Sequence, residues 1–368
     1  MTYKEYVMED ALEALIDYRG KTPNKSDFGI PTLSAKSVKN NFINYSECYY
    51  ISADEYKRFM VRGFPQEGDI LLTTEAPLGM VARLDRDDVA IAQRLLTLRG
   101  KKGILDNDYL LYLLQSPYGQ ALLKAKATGT TVTGIKQAEF RKIVIKLPNI
   151  ETQKRISSIL WSIDDKIALN QKINDNLQQQ AQAIYTAMFI LNADPSWAQG
   201  KLSDLITVKY GKGHKKLADG AYPVFGSGGI MRYVERPLYS GESVLIPRKG
   251  TLNNVMYVNE PFWSVDTMFF TEMKIPNVAK FVFHFVKAKD LASMNAGSAV
   301  PSMTTDILNA MDLAIPSAER LAEFESVVAP MYQAMQANNR EAAKLAELRD
   351  TLLPRLMSGE IDVSDIQM

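Results

Sequence analysis

Leu147-Pro148-Asn149-Ile150-Glu151, continuing through Gln153-Lys154-Arg155-Ile156 and Ile159-Leu160 to Ile163-Asp164-Asp165-Lys166-Ile167-Ala168-Leu169-Asn170, returns in altered form in the second half of the chain. Leu147-Pro148 falls on Ile315-Pro316, Glu151 on Glu319, Asn170 on Asn338 and Leu177 on Leu345, all at one constant offset. No gap is needed between about Gly129 and Met188. Just upstream, Gly129-Thr130-Thr131-Val132 falls on Gly297-Ser298-Ala299-Val300 and Ile135 on Met303. A repeat of this length makes the chain two copies of one plan.

Each copy of the stretch opens as a helix. Asn149 and Ser317 follow a proline and stand as N-caps, and Glu151 and Glu319 suit the positive end of a helix dipole. Asn192-Ala193-Asp194-Pro195 stops the first helix, while the second ends at Ser358-Gly359 with its last turn bent at Pro354. Pro330 reads as the first position of a longer helix after a short lead-in, because proline inside a helix removes a hydrogen bond. Apolar residues then recur in steps of four and three, the spacing of a coiled-coil seam. In the first helix they are Ile163, Ile167, Asn170, Ile173 or Asn174, Leu177, Ala181, Ile184 and Met188. In the second they are Met331, Met335, Asn338, Ala342, Leu345, Leu348, Leu352 and Leu356. Residues 163–190 and 331–358 would each extend roughly 40 Å at 1.5 Å per residue. Asn170 and Asn338 interrupt the seam at the same repeat position, where a buried Asn fixes register and an exposed one does nothing.

Working outward, the chain divides into 1–147, 148–196, 197–316 and 317–368, globular and helical in turn. The globular parts match less well. Gly68-Asp69-Ile70-Leu71 can be laid on Gly241-Glu242-Ser243-Val244, and Tyr18-Arg19-Gly20-Lys21 on Tyr210-Gly211-Lys212-Gly213. Asp69–Thr73, Val89–Ile91, Ser243–Ile246, Val255–Val258 and Met268–Phe270 read as short strands, and Tyr109–Leu123 and Ala279–Ala292 as amphipathic helices. The expected fold is α+β: two mixed blocks separated by two long antiparallel helices in coiled-coil contact, with an internal pseudo-twofold repeat.

Lys and Arg against Asp and Glu number 21 and 18 in residues 1–147, and 13 and 10 in 197–316. They number 4 and 5 in 148–196, and 5 and 9 in 317–368, so two slightly basic blocks alternate with two acidic segments. Cys48 is the one cysteine and there are two histidines, which excludes an internal disulfide framework and leaves no Cys/His zinc site expected. With no signal segment and no apolar run of membrane-spanning length in the sequence, the cytoplasm is the expected location.

The stretch Leu147–Asn170 resembles the central conserved region of the DNA-specificity subunits of type I restriction–modification systems. Leu348-Arg349-Asp350-Thr351-Leu352-Leu353-Pro354-Arg355-Leu356-Met357-Ser358-Gly359-Glu360-Ile361 resembles their distal conserved region. Trp197 to Gly213, Tyr222-Pro223-Val224-Phe225-Gly226-Ser227-Gly228-Gly229 and Arg248-Lys249-Gly250-Thr251 are similar to the entry and loops of their recognition domains. The resemblance implies a non-catalytic subunit whose two target recognition domains, 1–147 and 197–316, each read half of a bipartite site in double-stranded DNA. It implies that the helices set the gap and bind two copies of a methyltransferase subunit, with a motor–nuclease subunit as a further partner. S-adenosylmethionine, ATP and Mg would then sit on the partners, and no cofactor on this chain.

The residues themselves fit DNA reading. Phosphates need cations and backbone N–H groups, and base edges need forked donors. Tyr210, Lys212, His214, Lys215 and Lys216 share a glycine-rich loop, with Ser227, Arg248 and Lys249 beside other glycines. In the first block Arg19, Lys21, Lys36, Lys39 and Lys136 play the comparable part. The repeated Gly129–Ile135 and Gly297–Met303 read as a structural turn, since a shared segment cannot encode two different targets. No Gly-x-Gly-x-x-Gly, P-loop or Asn/Asp-Pro-Pro-aromatic tetrapeptide occurs, so neither catalytic nor metal-binding residues are expected. Asp54-Glu55-Tyr56-Lys57 reads as a helix start, and His284, among Phe281, Phe283 and Phe285, as a packed residue. The rival readings are a standalone nuclease or methyltransferase, and a coiled-coil scaffold or anti-restriction relative that binds only proteins.

Overall fold

The computed structural model describes residues 2–129, 133–294 and 302–364. Two helices dominate it, Ile150–Thr186 and Ala318–Ser358, with a final wider π turn at Ala187–Leu191. At 37 and 41 residues they are about 55 and 60 Å long. Asn149 Oδ1 accepts from Thr152 N at 2.8 Å and Ser317 Oγ from Arg320 N at 3.2 Å, so both caps close the first turn. Gly359, with φ +77°, ends the second helix.

The expected break before Pro330 is absent, and the helix runs straight through it. Pro330 and Ser326, whose carbonyl loses its partner, both lie on the exposed face. Phe324 and Val328 are fully buried on the other face and Tyr332 is 8% exposed. Burial of that stripe on both sides of the proline outweighs a local cost of about 3 kcal/mol. Leu348 also departs from the expected seam, at 46% exposed.

The chain separates into two units, Met1–Gln171 with Asn339–Met368, and Lys172–Asn338. Each holds one globular block and one half of each long helix. In the first unit Arg349 pairs with Asp164 at 2.7 Å, Lys166 with Glu341 at 3.5 Å, and Asn170 Nδ2 donates to Glu341 at 2.8 Å. One residue number falls as the other rises, so the halves are antiparallel. Ile156 and Leu160 share a core with Leu352, Leu353, Leu356 and Met357, while Ile163 is buried and Ile167 and Leu345 half-buried. In the second unit Asn338 Nδ2 donates to Asn174 Oδ1 at 2.9 Å and Arg320 Nη2 to Met188 O at 3.5 Å, so the halves there are antiparallel too. Leu177, Ala181 and Ile184 pack there with Met331, Tyr332 and Met335. Asn174, not the exposed Ile173, takes the inward position. Asn170 is 1% exposed, and both it and Asn338 bond across the seam.

The globular blocks repeat far more closely than their sequences. Each is closed by its first and last strands paired antiparallel, Lys4–Val7 with Val144–Leu147 and Ala198–Lys201 with Asp312–Ile315. Each then holds a four-stranded sheet of one order. In the first it runs Leu12–Asp17, Leu95–Gly100, Ile70–Thr73, Val81–Arg83; in the second Ile206–Tyr210, Met268–Met273, Glu242–Pro247, Met256–Asn259. Each has a parallel pair in a smaller sheet, Leu33 beside Ile91 and Val224 beside Trp263. Strand register moves both upstream sequence matches by one residue: Asp17 and Tyr18 stand level with Tyr210 and Gly211, and Ile70 with Val244. The helix expected over Tyr109–Leu123 is two, Asn107–Gln115 and Pro117–Lys126, because Ser116 caps the second and Pro117 starts it.

His284, on helix Ala279–Lys287, is fully buried. Its Nδ1 lies 2.8 Å from Gln182 Oε1 and its Nε2 2.9 Å from the Tyr332 hydroxyl. Burial, helped by nearby Lys287, lowers its pKa from 6.5 to about 3. The ring is neutral in the fold, whereas the unfolded chain protonates it below pH 6.5. Its contribution to stability is therefore whole above pH 6.5 and is lost as pH falls toward 3. His284→Gln should flatten the acid limb of the stability curve by up to about 1.4 kcal/mol per pH unit between about pH 6 and 4. Parallel acid limbs for the two proteins in urea unfolding would contradict this.

Candidate nucleic-acid interface

In the second block the strand Ile206–Tyr210 runs into Gly211, where a Cβ would sit 2.0 Å from the Val265 carbonyl oxygen. Only glycine allows that approach. Lys212 N donates to Ser264 O at 2.8 Å and Trp263 Nε1 donates to Lys212 O at 2.8 Å, so the loop is pinned while the lysine side chain is exposed. Arg248 N donates to Thr267 O at 2.9 Å and its guanidinium to Asp266 O at 3.1 Å. That guanidinium lies 5.6 Å from the centre of the Tyr210 ring, which is 53% exposed and stands edge-on to Phe269. Lys249 is exposed beside it. Ser227 joins the group, since a Cβ on Gly250 would meet its Oγ at 2.8 Å and its carbonyl accepts from Asn254 Nδ2 at 2.7 Å.

Tyr210, Lys212, Ser227, Arg248 and Lys249 therefore gather around the 263–267 turn. Lys215 and Lys216 are exposed further along the first loop and His214 is half-buried. An Arg fork held against an exposed aromatic ring, with most of its donors unspent, is suited to phosphate or a guanine edge.

The first block is built on the same joints. Thr74 N donates to Arg94 O at 2.9 Å, and Thr74 O accepts from Ile135 N at 3.0 Å. Arg248 does the same with Thr267 O and with Met303 N, at 2.9 Å each. Glu75 is bridged to Gly134 as Lys249 is to Ser302. Thr74 and Glu75 thus occupy the places of Arg248 and Lys249. The charges differ, for Glu75 pairs with Arg94 at 2.8 Å. Arg19 Nη2 donates to Ile135 O at 2.8 Å, which brings Arg19 beside exposed Lys136, and Lys21 is exposed on the same loop as Arg19. Lys36 and Lys39 lie at the hairpin Val38–Lys39 with Phe42–Ile43.

Arg62, Glu75, Gln93 and Arg94 were not legible as site residues. Arg62 Nη1 donates to the Asp17 and Arg19 carbonyls at 3.0 and 3.1 Å, and Gln93 Nε2 to Thr22 Oγ1 at 2.6 Å. Only folding brings them to the Arg19 loop and the Thr74 joint.

Most of the repeated turn falls outside the described residues, which omit 130–132 and 295–301. Its described part is structural in the first block: Thr128 and Gly134 exchange backbone bonds at 2.8 and 3.0 Å, and Ile135 is buried. Among the described residues no group of three or more His, Cys, Asp or Glu is placed to hold a metal, and no helix is long and apolar enough to cross a membrane.

A family model described as the type I restriction modification DNA specificity domain matches residues 14–179 and 195–324, well over half of the chain. A similar protein is the MjaIX specificity subunit of a type I restriction enzyme from Methanocaldococcus jannaschii, 24% identical over 94% of this chain and 91% of its own length. The HindI specificity subunit of Haemophilus influenzae is 21% identical over 80% of this chain and 87% of its own. Among solved structures, the S subunit of a type I restriction–modification system from M. genitalium aligns over 97% of this chain and 96% of its own, with a TM-score of 0.59 at 19% identity.

Proposed function

The chain belongs to the family of type I restriction–modification DNA specificity subunits, and from that membership we propose that it reads a bipartite target in double-stranded DNA, one half with each globular block. The observation that carries this is the pair of matching loop clusters. The same backbone joints present Arg248 and Lys249 in one block and Thr74 and Glu75 in the other. A shared scaffold with unlike side chains at level positions is what two different half-sites require, because side chains read bases while backbone and cations position the duplex.

In this reading the long helices set the spacing between half-sites and receive two methyltransferase subunits. Those partners carry S-adenosylmethionine, a motor–nuclease partner carries ATP and Mg, and this chain contributes no catalytic group. Expression of the chain with a type I methyltransferase subunit in a host lacking other adenine methylation, followed by mapping of methylated adenines, tests it. The expected result is one two-part sequence with a fixed gap. An uninterrupted motif would overturn the bipartite reading. Absence of any motif, with no salt-dependent preference for specific DNA, would favour a scaffold that binds only proteins.

A further inference from the structure

Each globular block meets its own pair of half-helices through a buried polar joint, and the two joints stand at equivalent places in the repeat. In the first, Tyr112 on helix Asn107–Gln115 donates its hydroxyl to Asp164 Oδ2 at 2.8 Å, while Arg349 donates to Asp164 Oδ1 at 2.7 Å. In the second, His284 occupies the place of Tyr112, counted from the starts of helices Asn107–Gln115 and Ala279–Lys287, and Tyr332 takes the place of Asp164 by the offset that sets Leu147 on Ile315. His284 Nε2 lies 2.9 Å from the Tyr332 hydroxyl and Nδ1 2.8 Å from Gln182 Oε1 on the opposite long helix. Two turns earlier on the long helices each block makes another polar contact, from different places on the two short helices. Ser157 donates to Asp106 Oδ1 at 3.4 Å, and Glu325, which the repeat sets on Ser157, accepts from Lys280 Nζ at 2.7 Å.

Packing alone does not require these groups. Tyr112 and His284 are fully buried and Lys280 is 3% exposed, and an apolar side chain at any of them would hold block to helix without desolvating a polar atom. What apolar contact lacks is direction. A hydroxyl aimed at one carboxylate oxygen, or a ring held at both nitrogens, fixes rotation about the contact as well as distance. The chemistry differs between the joints while the positions agree, which separates a shared mechanical role from inherited residues.

We propose that Tyr112 with Asp164 and Arg349, and His284 with Gln182 and Tyr332, are positioning residues that fix the angle of each reading block on the helices and thereby restrict the protein to one spacer length. This rests on the bipartite reading above. The test uses the full chain in complex with its methyltransferase subunit, on a DNA library in which known half-sites are separated by every gap within three base pairs of the native one. Tyr112→Phe and Tyr332→Phe remove one hydroxyl each and keep the ring. The expected outcome for each, and more strongly for the pair, is at least a tenfold rise in methylation at neighbouring gaps relative to the native gap, with half-site sequences unchanged. Melting measured on the same samples identifies folded protein, and if the double variant does not fold, the single variants carry the test. A folded variant with the wild-type gap profile overturns the joint. Relaxed half-site sequences without relaxed spacing would also overturn it, since that is loss of base contact. Should the wild type show no gap preference, the bipartite reading itself is what fails.

Discussion

Insertion of four residues into both long helices, between Asn170 and Asn174 in one and between Asn338 and Glu341 in the other, is expected to move methylation to a longer spacer while both half-site sequences stay the same. Four residues add about 6 Å of helix, between one and two base-pair rises of about 3.4 Å. The insertion is also one step of the seam's own spacing of fours and threes, so the apolar stripe resumes on the same face. Made in both helices, it keeps the partners on either side in step: Asn170 with Glu341, and Asn174 with Asn338. At the native gap, methylation should fall at least a hundredfold, because a reading block displaced by more than a base-pair rise meets the wrong edges, each costing about 1–3 kcal/mol. The same insertion in one helix alone should destabilise the chain, since every cross-seam pair beyond it loses register. Methylated-adenine mapping reads the outcome, and an unchanged gap in a folded double insertion would remove the helices from the spacing mechanism.

That experiment relies on the part of the fold most legible in sequence. Helix periodicity and caps are local, and Asn149, Asn192, Ser317 and Gly359 mark the four ends as the structure has them. Where local rules misled, tertiary packing had overruled them. Pro330 looks like a start, yet Phe324, Val328 and Tyr332 bury one continuous stripe across it. The shared topology of the globular blocks was hidden for a different reason. Pairs such as Leu33 with Ile91 and Val224 with Trp263 lie tens of residues apart, and β-pairing tolerates any side chains that suit each face. Sequence comparison therefore set Tyr18 on Tyr210, when strand register sets it on Gly211.

Candidate contact residues divide along the same line. Lys212 and Arg248 were legible because glycine-flanked cations mark a loop, and Tyr210 because it adjoins one. Arg94 and Glu75 carry no such mark and acquire meaning only from the Thr74–Arg94 joint.

Exchange of residues 197–316 for the equivalent block of another specificity subunit should replace one half-site completely and leave the other half and the gap intact. The ends of the block make it a natural unit of exchange. Ala198–Lys201 and Asp312–Ile315 pair antiparallel from Ala198 with Ile315 to Lys201 with Asp312, so entry and exit lie side by side. Its loop cluster of Tyr210, Lys212, Ser227, Arg248 and Lys249 lies wholly within the exchanged segment, and that of the first block wholly outside it. On the proposed reading the gap depends instead on the helices and on the long-helix residues that His284 and Lys280 touch, Gln182, Tyr332 and Glu325, none of which is exchanged. A graft that keeps His284 and Lys280 should therefore hold the native gap, and one that brings unmatched residues there should keep the new half-site but blur the spacing. Since several wrong bases at about 1–3 kcal/mol each exceed a hundredfold preference, the old target should drop below detection as the new one appears. Change in both half-sites after the exchange would mean that the blocks do not read independently, and the level loop clusters would then need another explanation than two separate readers.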